Sequence, residues 1–129
     1  MKKTEQPLIL TFENSKVDCS NLKHYFERIS EIDKASRLNF VLDTFEFDQA
    51  IIFANVIEKA MTITDMLRVN LFNPVCIHSK LPQAERLQLY DWFKNQNSSK
   101  ILVATDIFGR GIDIRRVNLV INYGNFFLI

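Results

Sequence analysis

What most constrains this chain is an alternation of two hydrophobic periods. Short, nearly unbroken apolar runs occur at Ala50-Ile51-Ile52-Phe53-Ala54, Pro74-Val75-Cys76-Ile77, Ile101-Leu102-Val103-Ala104 and Val117-Asn118-Leu119-Val120-Ile121. Between most of them lie longer stretches in which apolar residues recur every three or four positions. A strand covered on both faces reads as a continuous run, whereas a helix lying on a sheet shows a stripe. Strand and helix in turn imply right-handed βαβ units. The expected fold is therefore α/β, a parallel sheet with helices on both faces.

The stripes can be placed. Asp33 is expected to open a helix carrying Leu38, Val41, Leu42 and Phe45. Asn55, with Glu58 three residues on, has the pattern of a capping box ahead of Val56, Ala60, Ile63 and Leu67, in a helix reaching about Asn70. Pro82 suits the first turn of a third helix, Glu85 its positive end, and Leu89, Tyr90 and Phe93 its apolar side through Gln96. Tyr90, Trp92 and Phe93 read as packing residues rather than a base-stacking platform. Upstream, residues 22–29 alternate as a strand. Residues 1–20, including the extended run Leu8-Ile9-Leu10-Thr11-Phe12, read as a lead-in linker, and 21–129 as the domain.

Composition narrows the function classes. A chain of 129 residues, 47% hydrophobic and with eleven Phe, can build one packed core. Its net charge of +1 gives no global field to hold nucleic acid or an anionic membrane, so any such binding needs a local patch. Cys19 and Cys76 have no metal-ligand spacing and read as free thiols of a reducing compartment. Neither a spanning segment nor a secretory signal is present, so an intracellular protein without membrane contact is expected.

Polar groups gather where the apolar runs stop. The third run breaks into Thr105-Asp106-Ile107-Phe108-Gly109-Arg110-Gly111-Ile112-Asp113, which holds two of the three glycines in the chain. Glycine lets a phosphate or sugar approach without a Cβ in the way. In a parallel sheet all carboxyl ends point the same way, and ligands bind beyond them. Asn55, His78 and Thr105 through Asp113 should therefore share an edge. Gln83 and Arg86, at i and i+3 near a helix N-terminus on the same side, read either as a solvated helix face, the default for such a pair, or as a phosphate-contacting set. Asp106 reads as a turn cap and His78 as a structural strand-end residue. No catalytic residue and no metal ligand is assigned.

Three of these stretches, Ala50-Ile51-Ile52-Phe53, His78 with Pro82-Gln83-Ala84-Glu85-Arg86, and Thr105 to Asp113, occur in an order that resembles motifs IV, IVa and V of the DEAD-box RNA helicases. The Phe108-Gly109 variant and the following Val117-Asn118 are most similar to the subfamily acting in spliceosome assembly and mRNA export. The resemblance implies the second, C-terminal RecA-like domain of such an enzyme, within the P-loop NTPase superfamily. It implies RNA backbone contacts from Gln83, Arg86, Thr105 and Asn55, approach to the ATP ribose by Gly111 and Asp113, and an interdomain contact from Arg110. The partners implied are single-stranded RNA, the N-terminal RecA-like domain with ATP and Mg²⁺ between the two, and splicing or export proteins of the nucleus.

The departures also carry expectations. No G-x-x-x-x-G-K-[ST] loop and no Asp-Glu-Ala-Asp run occurs, so the chain lacks its own ATP phosphate site. The sequence stops ahead of the arginine-rich motif VI, and the sheet is expected to be incomplete there. The chain alone is expected to be inactive. Lys80 stands where the subfamily has Gly, which bears on the turn after His78. The alternative reading is an inactive helicase-fold module that engages a protein partner.

Overall fold

The computed structural model describes residues 8–11, 23–26, 29–95, 100–105 and 116–124. Within these, strands β1 (Leu8–Thr11), β2 (Lys23–Phe26), β3 (Gln49–Phe53), β4 (Pro74–Ile77), β5 (Ile101–Ala104) and β6 (Val117–Asn122) accompany helices α1 (Lys34–Thr44), α2 (Ile57–Val69) and α3 (Gln83–Asn95). The strands form one sheet in the order β2-β1-β6-β3-β5-β4, with every described pairing parallel. The sequence reading places Leu8–Thr11 in a linker. The structure instead inserts it between β2 and β6, because its backbone groups complete the ladder on both sides.

Alternation along the strands sorts the core into two layers. Ala50, Ile52 and Ala54 of the β3 segment, with Ile101, Val103, Leu119 and Ile121, meet Leu38, Val41 and Leu42 of α1 and Ala60, Ile63 and Leu67 of α2. On the opposite face, Ile51, Ile77, Leu102 and Ala104 meet Phe93 of α3. Each fully buried Leu, Ile or Phe contributes about 1.5–3 kcal/mol, so these layers hold the helices on the sheet. A register shift between Gln49 and Ala50 leaves Asn118 as an extra residue of β6. The Asn118 side-chain oxygen accepts from the Asp48 backbone N–H at 3.0 Å. The shift places Val117 on the α3 face and Leu119 on the other.

One buried polar group fastens the α3 layer. Gln49 is 1% exposed, and its Nε2 donates to the Phe93 carbonyl at 2.7 Å. Burying that amide is tolerable only because the bond is made. Trp92 departs from expectation: it is 54% exposed, not core. With Phe93 turned into the sheet and Leu89 and Tyr90 packed beside it, the next position on the helix faces away.

The helix starts differ from the capping readings. Val56, not Asn55, is the N-cap of α2, and neither it nor Asp33 makes a side-chain cap bond. Asp33 instead accepts from the Ser30 hydroxyl at 2.9 Å. The end of α2 closes in a Schellman pattern: Phe72 N–H donates to Leu67 O at 2.9 Å and Leu71 N–H to Arg68 O at 3.1 Å. This requires a left-handed residue, and Leu71 adopts φ of 70°. A left-handed conformation costs a non-glycine residue about 1–2 kcal/mol.

Leu71 is 93% exposed, so its side chain offsets little of that strain by packing. Leu71→Gly is expected to raise stability by about 0.5–1 kcal/mol. Leu71→Ala, which keeps the Cβ, should give no such gain. Urea unfolding of the three proteins measures the difference.

Candidate functional site at the carboxyl edge

Since all strands run the same way, their carboxyl ends form one rim. Hydrogen bonds carry the ladder one residue beyond the strands: Tyr123 N–H to Phe53 O at 2.8 Å, Ala54 N–H to Ala104 O at 2.9 Å, and Thr105 N–H to Ile77 O at 3.4 Å. The rim therefore reads, from β6 to β4, Gly124, Asn55, Thr105, His78. Neighbouring strands lie about 4.8 Å apart, so this row spans a few nucleotide-sized steps.

At its β4 end, the chain turns sharply from strand to helix. Leu81 N–H donates to His78 O at 3.2 Å, and Arg86 N–H to Pro82 O at 3.0 Å, which starts α3 beside the rim. Lys80 is exposed and fits the turn without a positive φ, since Leu71 is the only non-glycine residue with one among the described residues. Gln83 is exposed in the first turn of α3, and Arg86, three residues on, is half-buried.

Three buried side-chain atoms at this end have no hydrogen-bond partner among the described residues: Thr105 Oγ1, Arg86 Nε and His78 Nδ1. Thr105 is only 4% exposed. Such an atom costs about 1–3 kcal/mol if left unsatisfied. The guanidinium donates only, and the hydroxyl can both donate and accept. Their chemistry fits an anionic oxygen. The sequence signal singled out Thr105 and Arg86, while His78 was assigned no ligand role, and nothing about a lone His after a strand marks its Nδ1 as buried.

The β6 end is built by close approach. A Cβ on Gly124 would lie 2.8 Å from Asn55 Oδ1 and 3.0 Å from the Asn55 backbone nitrogen. Glycine at 124 thus lets the Asn55 side chain sit on the rim. Asn55 is exposed. Behind it, Glu31 accepts from Lys59 Nζ at 3.0 Å and pairs with Lys34 Nζ at 3.1 Å, joining the starts of α1 and α2. Lys34, only 4% exposed, also holds its ammonium 5.7 Å from the Tyr123 ring centroid. Sequence reasoning missed Lys34, because a lysine in a first turn is ordinarily solvated. The hydrogen bond from Lys59, then that from Lys34, holds the Glu31 carboxyl below its usual range. Burial, then the Glu31 charge, pushes the Tyr123 phenol up.

Gly111 and Asp113, expected at the ATP ribose, and Arg110, expected between domains, lie outside the described residues, as does Asp106. Their segment begins at Thr105, on this rim. Among the described residues, no three His, Cys, Asp or Glu side chains gather as a metal site.

Comparison with known proteins places the chain. Residues 32–127 match the family described as "Helicase conserved C-terminal domain". The chain belongs to that family. It is 41% identical over 120 residues to the ATP-dependent RNA helicase uap56 of Schizosaccharomyces pombe, covering 92% of this chain and 27% of the relative. It is 42% identical over 111 residues to the ATP-dependent RNA helicase sub2 of Aspergillus terreus, covering 86% and 25%. The chain thus spans about a quarter of the length of these helicases. Among solved structures, S. cerevisiae Dbp5 bound to RNA and ADP BeF3 superposes with a TM-score of 0.67 at 26% identity, over 92% of this chain and 26% of that one. The parallel sheet and its flanking helices are those of a RecA-like helicase C-terminal domain.

Two outcomes test the rim. Gly124→Ala should cost about 1–3 kcal/mol by overpacking against Asn55, read by urea unfolding. Glu31→Gln probes the lysine bridge: a depressed carboxyl contributes stability above its unfolded value near 4.5 and loses it as pH falls below that. The Glu31 carboxyl is itself largely solvent-exposed, so the difference should be no more than about 0.5–1 kcal/mol at pH 7 and disappear once the pH falls through the lowered folded value. A gap between the two proteins that persists at the acid end would show that Glu31 acts by packing.

Proposed function

We propose that this chain is the RNA-gripping, C-terminal RecA-like part of an ATP-dependent DEAD-box RNA helicase. The observation that carries the reading is the pair Thr105 Oγ1 and Arg86 Nε, buried on one rim with no partner among the described residues. Thr105 and Arg86 donate to phosphate oxygens of single-stranded RNA, Gln83 adds a contact from the first turn of α3, and Asn55 extends the row toward β6. Contacts of this kind hold the backbone without reading bases.

ATP with Mg²⁺, held between this domain and an N-terminal RecA-like domain, supplies the free energy of phosphoanhydride hydrolysis. On this side of the cleft Gly111 and Asp113 approach the ribose, a carboxylate accepting hydrogen bonds from sugar hydroxyls, and Arg110 steadies the contact between domains. The likeness to uap56 and sub2 supports a place in nuclear pre-mRNA splicing and mRNA export, among the proteins of those pathways. RNA-stimulated ATPase activity requires the complementary domain.

The chain should bind single-stranded RNA weakly, with affinity that falls as salt rises. Losing two charge-assisted or phosphate-directed contacts at about 1.5–3 kcal/mol each for the charged group predicts at least tenfold weaker binding by the Arg86→Ala, Thr105→Ala double variant. Fluorescence anisotropy with a labelled oligonucleotide at low salt measures it. Equal binding by the two proteins would remove RNA from the rim.

A further inference from the structure

The rim leaves one part of the molecule unused. β4 ends the sheet, and among the described residues nothing pairs with its outer side. Within a strand the N–H and C=O of one residue point the same way and successive residues alternate. Ile77 O accepts from Thr105, so Ile77 and Val75 face β5 while Pro74 and Cys76 face outward. Pro74 brings no donor and is buried, which leaves the partly exposed Cys76 to present a donor and acceptor pair on the open edge.

Around that edge runs a groove of about 290 Å³. Its apolar wall is made by Val75, Leu81, Leu89 and Trp92. Trp92 lies half in solvent, although Phe93 beside it is fully buried. The groove is also charged at both ends with opposite sign: Arg68, at the close of α2, stands by the start of β4, and Glu85, in the first turn of α3, stands by its finish. Arg68 pairs with Asp65 at 3.6 Å, so the groove offers no basic cluster and suits an anionic polymer poorly. An open main-chain edge, an aromatic wall and one charge of each sign suit an extended peptide.

We propose that the β4 edge is a docking site for an extended segment of another protein, added antiparallel to β4. A narrow antiparallel pair exchanges both hydrogen bonds with Cys76, and the main-chain bonds give affinity while the groove selects side chains. The direction fixes the charges. A basic side chain near the amino end of the segment meets Glu85, a leucine-sized side chain lies on Trp92, and an acidic one near the carboxyl end meets Arg68.

The probes are two capped peptides, Lys-Thr-Leu-Thr-Leu-Glu and Glu-Thr-Leu-Thr-Leu-Lys, read by the fluorescence of Trp92, the sole tryptophan of the chain, and by amide exchange at Cys76. The first should bind saturably, change the Trp92 emission and slow the Cys76 amide. Exchanging two surface attractions for repulsions should weaken the second about tenfold. Glu85→Lys alone should narrow that preference, and Arg68→Glu with Glu85→Lys should invert it. Binding by the Arg86→Ala, Thr105→Ala protein should be unchanged, which separates this site from the RNA reading. Equal affinity for both peptides, no saturable response, or self-association of the chain through this edge in sedimentation would overturn it.

Discussion

The pairing of β3 with β5 on one side and β6 on the other, both parallel, is the constraint on which everything else hangs. Ala50, Ile51 and Ile52 are buried because both faces of that strand are covered. A parallel neighbour cannot be reached by a hairpin, so each return requires a long connection. Those connections deliver the next polar turn to the same side of the sheet. The site is thus a by-product of strand direction, and the residues that form it need not be near one another in sequence.

At that rim, function and stability pull against each other in a measurable way. Thr105 and Arg86 present buried polar atoms that no described residue satisfies, while two strands along the rim Gly124 gives up a side chain so that Asn55 has room. Behind the rim the arrangement is the reverse. Glu31 is bonded to two lysines, and Lys34 lies over Tyr123. Rigid, satisfied groups thus back a row of unsatisfied ones, as preorganised binding surfaces require.

How much of this was legible in the sequence follows from which physical signals are local. Pro74–Ile77 and Ile101–Ala104 were readable almost to the residue, because burial on both faces forces a continuous apolar run. Leu38, Val41, Leu42, Ala60, Ile63 and Leu67 were readable from their spacing. Strand order was not: no local signal says that Leu8–Thr11 sits between β2 and β6, since pairing partners are chosen by the whole sheet. Caps were misread for a related reason. Asn55 has the right chemistry for a cap, but its backbone is committed to the rim beside Gly124, and the helix starts after Val56. Trp92 was misread because large aromatics are usually buried, and only the position of Phe93 reveals which way its neighbour turns. The left-handed Leu71 was invisible, as the backbone bonds of the α2 terminus, not the residue type, impose it.

The sheet order has a consequence for how the chain is made. β6 lies next to β3 at the heart of the layer, yet some sixty residues separate them along the chain, and β4 and β5 are synthesised first. During translation α2, β4, α3 and β5 can assemble against one flank of β3 while its other flank waits, leaving the Ile51 and Phe53 backbone groups, which face β6, exposed to solvent. Closure of so distant a pair is entropically late. A ribosome pausing before Val117 would therefore hold an intermediate with a bare internal edge, the species on which a chaperone or an unwanted neighbour would act first.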